Sequence, residues 1–199
     1  PMGFDVLLGK EIAKRLGLEA EFIDTAWDGI FAGLDTDRYD VVMSAATITP
    51  ERVANYDFST PYIGNGQAII LRKDSTLNIT KFEDLAGLKV GYQAETTSDF
   101  YTKKHSAESG FTYVENAYDK VMNAYDDLKL GRIDAVVSDS LVAVNYLSVP
   151  NTEFKQVWSA EPDEYFGVCM KKGNTVLQEK VNAILEDMKK DGSLKQIYM

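Results

Sequence analysis

An α/β protein of two similar lobes, each a mixed and mostly parallel sheet flanked by helices, is the fold class this sequence predicts. Three observations carry it. Helical and strand-like hydrophobic patterns alternate along the chain, and the alternation restarts near the middle. Two strand segments, DRYDVVMS from Asp37 and GRIDAVVS from Gly131, share Arg, Asp, Val and Ser at matching offsets, a weak internal repeat of the kind two related lobes leave.

Each element has a local cause. Phe4, Leu8, Ile12 and Leu16 recur at helical spacing and stop at Gly17, after which EAEFI alternates like a strand. A second helix is expected after Trp27-Asp28 to about Thr36, and YDVVMS reads as a short strand buried on both faces. A helix should start at Pro50, followed by a strand in GQAIILRK. The second round runs LKVGY as strand, TTSDFYTKKH as helix, FTYV as strand, YDKVMNAYDDLKLG as helix and IDAVVS as strand. FGVCMKK then predicts a strand, and Val176, Leu177, Val181, Ile184, Leu185 and Met188 mark a long amphipathic helix ending near Gly192.

Composition narrows the function classes. With 199 residues, 45% apolar and 11% aromatic, the chain can bury a real core. The net charge of -10 disfavours broad contact with nucleic acid or an anionic membrane surface. Cys169 is the single cysteine and has no partner for an intrachain disulfide; in its apolar run it reads as a buried small hydrophobe. His105, the single histidine, reads as a solvated surface residue. One Cys and one His exclude a zinc-type cluster, and no metal or cofactor is expected. No stretch reaches the roughly 18 to 20 apolar residues of a membrane-spanning helix. The chain opens at PMGFDV without a visible leader, read here as one removed or left out.

The segment SAATITPER raises the main functional question. Thr49 and Pro50 look like the cap and first residue of a helix, which places Arg52 in the first turn. A helix start already carries partial positive charge, so a guanidinium there suits an anion. Arg52 has the planar donor fork that grips a carboxylate, with Thr47 and the backbone at Ala45 as further donors; pairing with Glu51 or Asp57 is the competing reading. Asp139 follows the matching strand and suits an ammonium group, or it caps the helix SLVAVNYL. Gln93, Thr96 and Thr97 form a polar turn after LKV, open to ligand donation or to simple capping. Trp27 is either a stacking surface for a ligand or core. In open α/β sheets ligands bind beyond the carboxyl ends of strands, where SAATITPER and SDSL both lie.

Taken together, GFDVLLGKEIAKRLG, WDGIFAGL, YDVVMSAATITPER, YDFSTPYIGNGQAIILRK, FEDLAGLKVGYQAETTS, GRIDAVVSD and YFGVCMKKGN resemble, in order and over almost the whole chain, the amino-acid-specific solute-binding proteins of ABC importers. That family has the type II periplasmic binding protein fold. The resemblance implies lobe 1 from residues 1–66 and 167–199, lobe 2 from 67–166, and crossovers near 62–68 and 162–168. It implies two lobes closing on a free polar amino acid, which is then delivered to a permease from the periplasm or from a cell-surface lipoprotein. Carried over by position, Arg52 clamps the carboxylate with Thr47, Ala45 and Thr97; Asp139 takes the α-ammonium; Trp27 lines the side-chain pocket; and Gln93, beside Thr96, helps set selectivity.

Two departures from the family pattern stand out. Family members carry a strand and an aromatic-rich loop before the GFD segment, and their absence here implies a truncated chain with weakened affinity. It also implies an open sheet edge inviting dimerisation or strand exchange. Glu95 stands where the family commonly has glycine, which implies an altered backbone course or an added negative charge. Two other functions fit the same fold: a dehydratase acting on a cyclic carboxylic acid, with Asp139 or Glu95 as general acid, and the ligand-binding sensor domain of a receptor.

Overall fold

The structure is a computed structural model that describes residues 3–198. In chain order its elements are α1 (Phe4–Arg15), α2 (Ala32–Asp35), β1 (Val41–Val42), α3 (Pro50–Asn55), β2 (Tyr56–Phe58), β3 (Ile63–Asn65) and β4 (Gln67–Arg72). There follow β5 (Lys89–Gln93), α4 (Thr97–Ser109), β6 (Val114–Tyr118), α5 (Val121–Lys129), β7 (Ala135–Asp139) and α6 (Ser140–Leu147). The chain closes with β8 (Phe154–Ser159), β9 (Glu164–Phe166), β10 (Cys169–Lys171), α7 (Thr175–Lys190) and α8 (Ser193–Tyr198).

These elements divide into two compact units. Unit 1 takes the chain up to Thr25, Gly29–Gly64 and everything from Glu164 on; unit 2 takes Asn65–Asp163 together with Ala26–Asp28. The three residues around Trp27 therefore belong with the second unit although they lie in the first part of the sequence.

Unit 1 holds a sheet in the order β1-β10-β2, with both ladders antiparallel. Leu8 and Ile12 of α1 are buried, as their spacing predicts, and so are Val181, Leu185 and Met188 of α7. Val176, expected on the same apolar stripe, is 65% exposed, because it sits in the first turn of α7 before the helix reaches its packing partners. EAEFI forms no strand: residues 19–23 carry no ladder and are mostly exposed, for alternation makes a strand only where a second strand supplies hydrogen bonds. The predicted strand YDVVMS shrinks to Val41–Val42. The helix expected from Trp27 begins only at Ala32, after a turn through Asp28–Phe31.

Unit 2 holds a five-stranded mixed sheet, β6-β5-β7-β4-β8. β5 runs parallel to β6 and β7, whereas β4 runs antiparallel to β7 and β8, so the parallel pairs all involve β5. β4 is apolar on both faces, and Ile69 and Leu71 join one buried cluster while Ala68 and Ile70 join another. That is the pattern of a central strand covered by helices on both sides. The strand read in FTYV forms three residues later, at Val114, and β8 has no counterpart in the sequence reading. His105 also differs from expectation. It is half-buried, stacked on Tyr101 with ring centroids 3.9 Å apart.

Candidate functional site

Within unit 1 the expected helix start at Pro50 is present, with Thr49 in extended conformation and its Oγ1 accepting the Arg52 N–H at 3.2 Å. Arg52 points back along the loop. Its Nη1 donates to the Thr47 carbonyl at 2.8 Å, and its Cζ lies 5.0 Å from the centre of the Phe31 ring. Asp57, one proposed partner of Arg52, instead lies 3.2 Å from Lys172 Nζ and accepts the Gly173 N–H. Both of these contacts, a carbonyl and an aromatic face, favour the guanidinium in its charged form.

Thr47 is buried, bridged to Phe166, with its Oγ1 3.5 Å from Glu164 Oε2. Ala45 has φ 50, and its backbone N–H donates to Asp5 Oδ2 at 2.6 Å. The donor read as ligand-facing is therefore given to a carboxylate of the same unit. Asp5 also accepts from Tyr62 Oη at 2.7 Å. Burial raises the Asp5 carboxyl above the ordinary range, and these two hydrogen bonds offset that only in part. Sequence reading passed over Asp5 because an acidic residue in a first helical turn already has a sufficient explanation in the helix dipole.

Within unit 2, Trp27 is half-buried and donates from Nε1 to the Glu95 carbonyl at 3.0 Å. Glu95 has φ 60, so it adopts the left-handed conformation that glycine takes without strain, and its N–H donates to Asp99 Oδ2. Thr96 is the N-cap of α4 and also donates from Oγ1 to the Gln93 carbonyl at 2.7 Å. Gln93 donates from Nε2 to the Asp119 carbonyl, and Thr97 Oγ1 lies 3.4 Å from Gln67 Nε2.

Asp139 ends β7 and precedes α6, yet its side chain makes no capping bond there. The acceptor for the Leu141 N–H is Asn65 Oδ1, at 3.3 Å. The Asp139 carboxylate instead accepts on Oδ1 from Asn65 Nδ2 and from Gln67 Nε2, each at 2.8 Å. Neither amide figured in the sequence reading, although both stand in the quoted segment YIGNGQAIILRK. Cys169 is buried, and burial pushes its thiol up to about 12, so at neutral pH it is an unreactive hydrophobe. Among the described residues no group of three or more His, Cys, Asp or Glu side chains is placed to hold a metal ion, and no helix is long and apolar enough to cross a membrane.

The profile of the bacterial extracellular solute-binding proteins, family 3, matches residues 1–199. The chain belongs to this family. Among its curated relatives is the L-cystine-binding protein TcyJ of Escherichia coli (strain K12), 35% identical over 195 residues, or 98% of this chain and 72% of TcyJ. Among solved structures, an ancestral arginine-binding protein bound to arginine is 42% identical with a TM-score of 0.90, covering 99% of this chain and 86% of that one. The ancestral amino-acid-binding protein AncCDT-1, described as a precursor of cyclohexadienyl dehydratase, is 38% identical with a TM-score of 0.88, covering 99% and 83%. These likenesses establish for this family 3 chain the α/β periplasmic binding protein architecture that the sequence motifs imply.

Proposed function

We propose that this chain captures a free polar amino acid outside the cytoplasmic membrane and delivers it to the permease of an ABC importer, without catalysing a reaction. Family membership and the binding proteins among its relatives support the transport role. The observation that carries the ligand chemistry is the setting of Arg52. A guanidinium held by a carbonyl in the first turn of α3 adds to the positive end of the helix, and an α-carboxylate stabilises both at once. Asp139, of opposite charge and in unit 2, supplies the ammonium partner. Thr47, Thr97, Gln93 and Trp27 contribute polar and aromatic contacts, with Ala45 and Thr96 shaping the loops that carry them. In this reading the two lobes are residues 1–66 with 167–199 and residues 67–166, as the resemblance implies.

Micromolar affinity requires about 8 kcal/mol, which two charge-assisted clamps and a packed side chain can supply. A thermal-shift screen of the twenty amino acids and L-cystine tests the reading. A stabilising hit is expected, and it should disappear in Arg52→Ala and weaken in Arg52→Lys. A hit untouched by Arg52→Ala would sink the clamp.

The likeness to AncCDT-1 keeps a dehydratase reading in view. It needs a general acid, and Asp139 is arranged as an acceptor of two N–H groups, which suits a charge partner better than a proton donor. Release of an aromatic product from a cyclohexadienyl carboxylate would favour the enzyme instead. β1 and β2 are the two edge strands of the unit 1 sheet, and light scattering decides whether a second copy pairs at either.

A further inference from the structure

We infer that Asn65 and Gln67 are positioning residues that aim the Asp139 carboxylate at an α-ammonium group. The inference rests on the reading of Asp139 given above. Both amides are buried, Asn65 with 1% and Gln67 with 0% of its surface exposed, and both donate to the same oxygen of Asp139. A single donor would leave the carboxylate able to pivot about that bond. Two donors, one from the last residue of β3 and one from the first residue of β4, restrict the rotation of the group as well as its position.

Each amide is itself locked at its other end. Asn65 Oδ1 accepts from Leu141 N–H and from Ser140 Oγ at 3.2 Å, while Gln67 Oε1 accepts from Ser98 Oγ at 2.7 Å. A backbone N–H can only donate and a carboxylate can only accept, so the two ends of Asn65 admit one orientation. The arrangement needs a side chain with a donor and an acceptor on one carbon. Aspartate offers no donor and leucine neither group. Charge is the second part of the argument. Lysine or arginine would orient the carboxylate equally well but would bring a positive charge against it, whereas the neutral amides hold it without adding one.

The network also explains why Asp139 does not cap α6. Asn65, 76 positions earlier in the chain than Leu141, takes over the capping bond and uses its other end to hold the carboxylate. Thr97, through Gln67 Nε2, belongs to the same set.

The test compares L-arginine with 5-guanidinopentanoate, the same molecule without its α-ammonium, by calorimetry on the full chain. If the screen returns another amino acid, that compound and its des-amino acid replace the pair. Wild type should prefer the amino acid by about 10- to 100-fold, and Asp139→Asn should abolish the preference. Asn65→Leu and Gln67→Met should each reduce it by about tenfold while leaving des-amino affinity nearly unchanged. In Asn65→Asp/Asp139→Asn the hydrogen bond is restored with its polarity reversed, so folding should recover and the preference should not. Should Asn65→Leu fail to fold, Asn65→Ser carries the same readout.

Equal weakening of both compounds, or an unchanged preference in folded variants, overturns the positioning role. If no amino acid binds wild type, or Asp139→Asn keeps the preference, the Asp139 reading itself fails and takes this one with it. If Asp139→Asn abolishes the preference and the amide variants do not, only the positioning role falls.

Discussion

The backbone N–H of Ala45 donates to Asp5 Oδ2 at 2.6 Å, which ties the first turn of α1 to the loop that leads into Arg52. Asp5 is half-buried, and its second oxygen accepts from Tyr62. One side chain therefore sets the course of SAATITPER from outside it.

Removing that acceptor should be costly. Asp5→Ala leaves the Ala45 N–H and the Tyr62 hydroxyl without their acceptor, and a loss of about 2–4 kcal/mol in urea unfolding is expected. Asp5→Asn separates charge from hydrogen bonding. Burial raises the folded-state pKa of Asp5 above its unfolded value, so between the two values the native state binds more protons. The Asp5 contribution to stability is then largest below the unfolded value, falls as pH rises through this window, and is fully lost above the folded pKa. The stability difference between wild type and Asp5→Asn should shift against wild type as pH rises from about 4 to 7. A flat difference would show that Asp5 is not desolvated in solution.

Glu95 holds a left-handed backbone with φ 60 while its carbonyl accepts from Trp27. Glu95→Gly should keep the turn, relieve about 1 kcal/mol of strain and give back part of it as unfolded-chain entropy, for a net gain of about 0–1 kcal/mol. Glu95→Val should lose about 1–2 kcal/mol, since a β-branched residue tolerates this conformation poorly. Paired urea midpoints decide the sign.

Lys103 lies 2.8 Å from the buried Asp99 carboxylate and 3.1 Å from Glu115, and the Asp99 hydrogen bond is the main cause of its raised pKa. Lys103→Met leaves Asp99 buried beside Glu115 without its cation. Half of the lysine side chain is exposed, so solvent screening reduces the loss to about 1–2 kcal/mol. Lys190→Met, which breaks an exposed pair with Glu186, should leave the urea midpoint unchanged and serves as the control.

Gly66 separates β3 from β4, and a Cβ there would stand 2.7 Å from the Ala160 carbonyl oxygen. Its own carbonyl accepts the Ser140 N–H at 2.8 Å. Gly66→Ala must push backbone against backbone, at about 1–3 kcal/mol, and it shifts the junction between β3 and β4 that places Asn65 and Gln67. Amino-acid affinity should fall together with stability, whereas Gly87→Ala, where φ is positive and no atom lies within 4 Å, should lower stability alone.

Much of this protein is determined by local sequence. α1, α4, α5 and α7 follow from apolar spacing and caps, and β4 and β7 from short apolar runs, because those signals need only a neighbour a few positions away. The family motifs are local in the same sense, which is why the α/β periplasmic binding protein architecture is legible without coordinates. Tertiary structure decided whatever depends on a distant partner. EAEFI alternates like a strand and is none, since a ladder needs a second strand beside it. From its local sequence Asp139 reads first as a helix cap and only second as an anchor; Asn65, 74 positions away, takes the capping bond and holds the carboxylate. Ala45 offered a donor that Asp5, 40 positions away, already accepts. Periodicity states which face of an element is apolar, and only the folded chain states which polar groups have met.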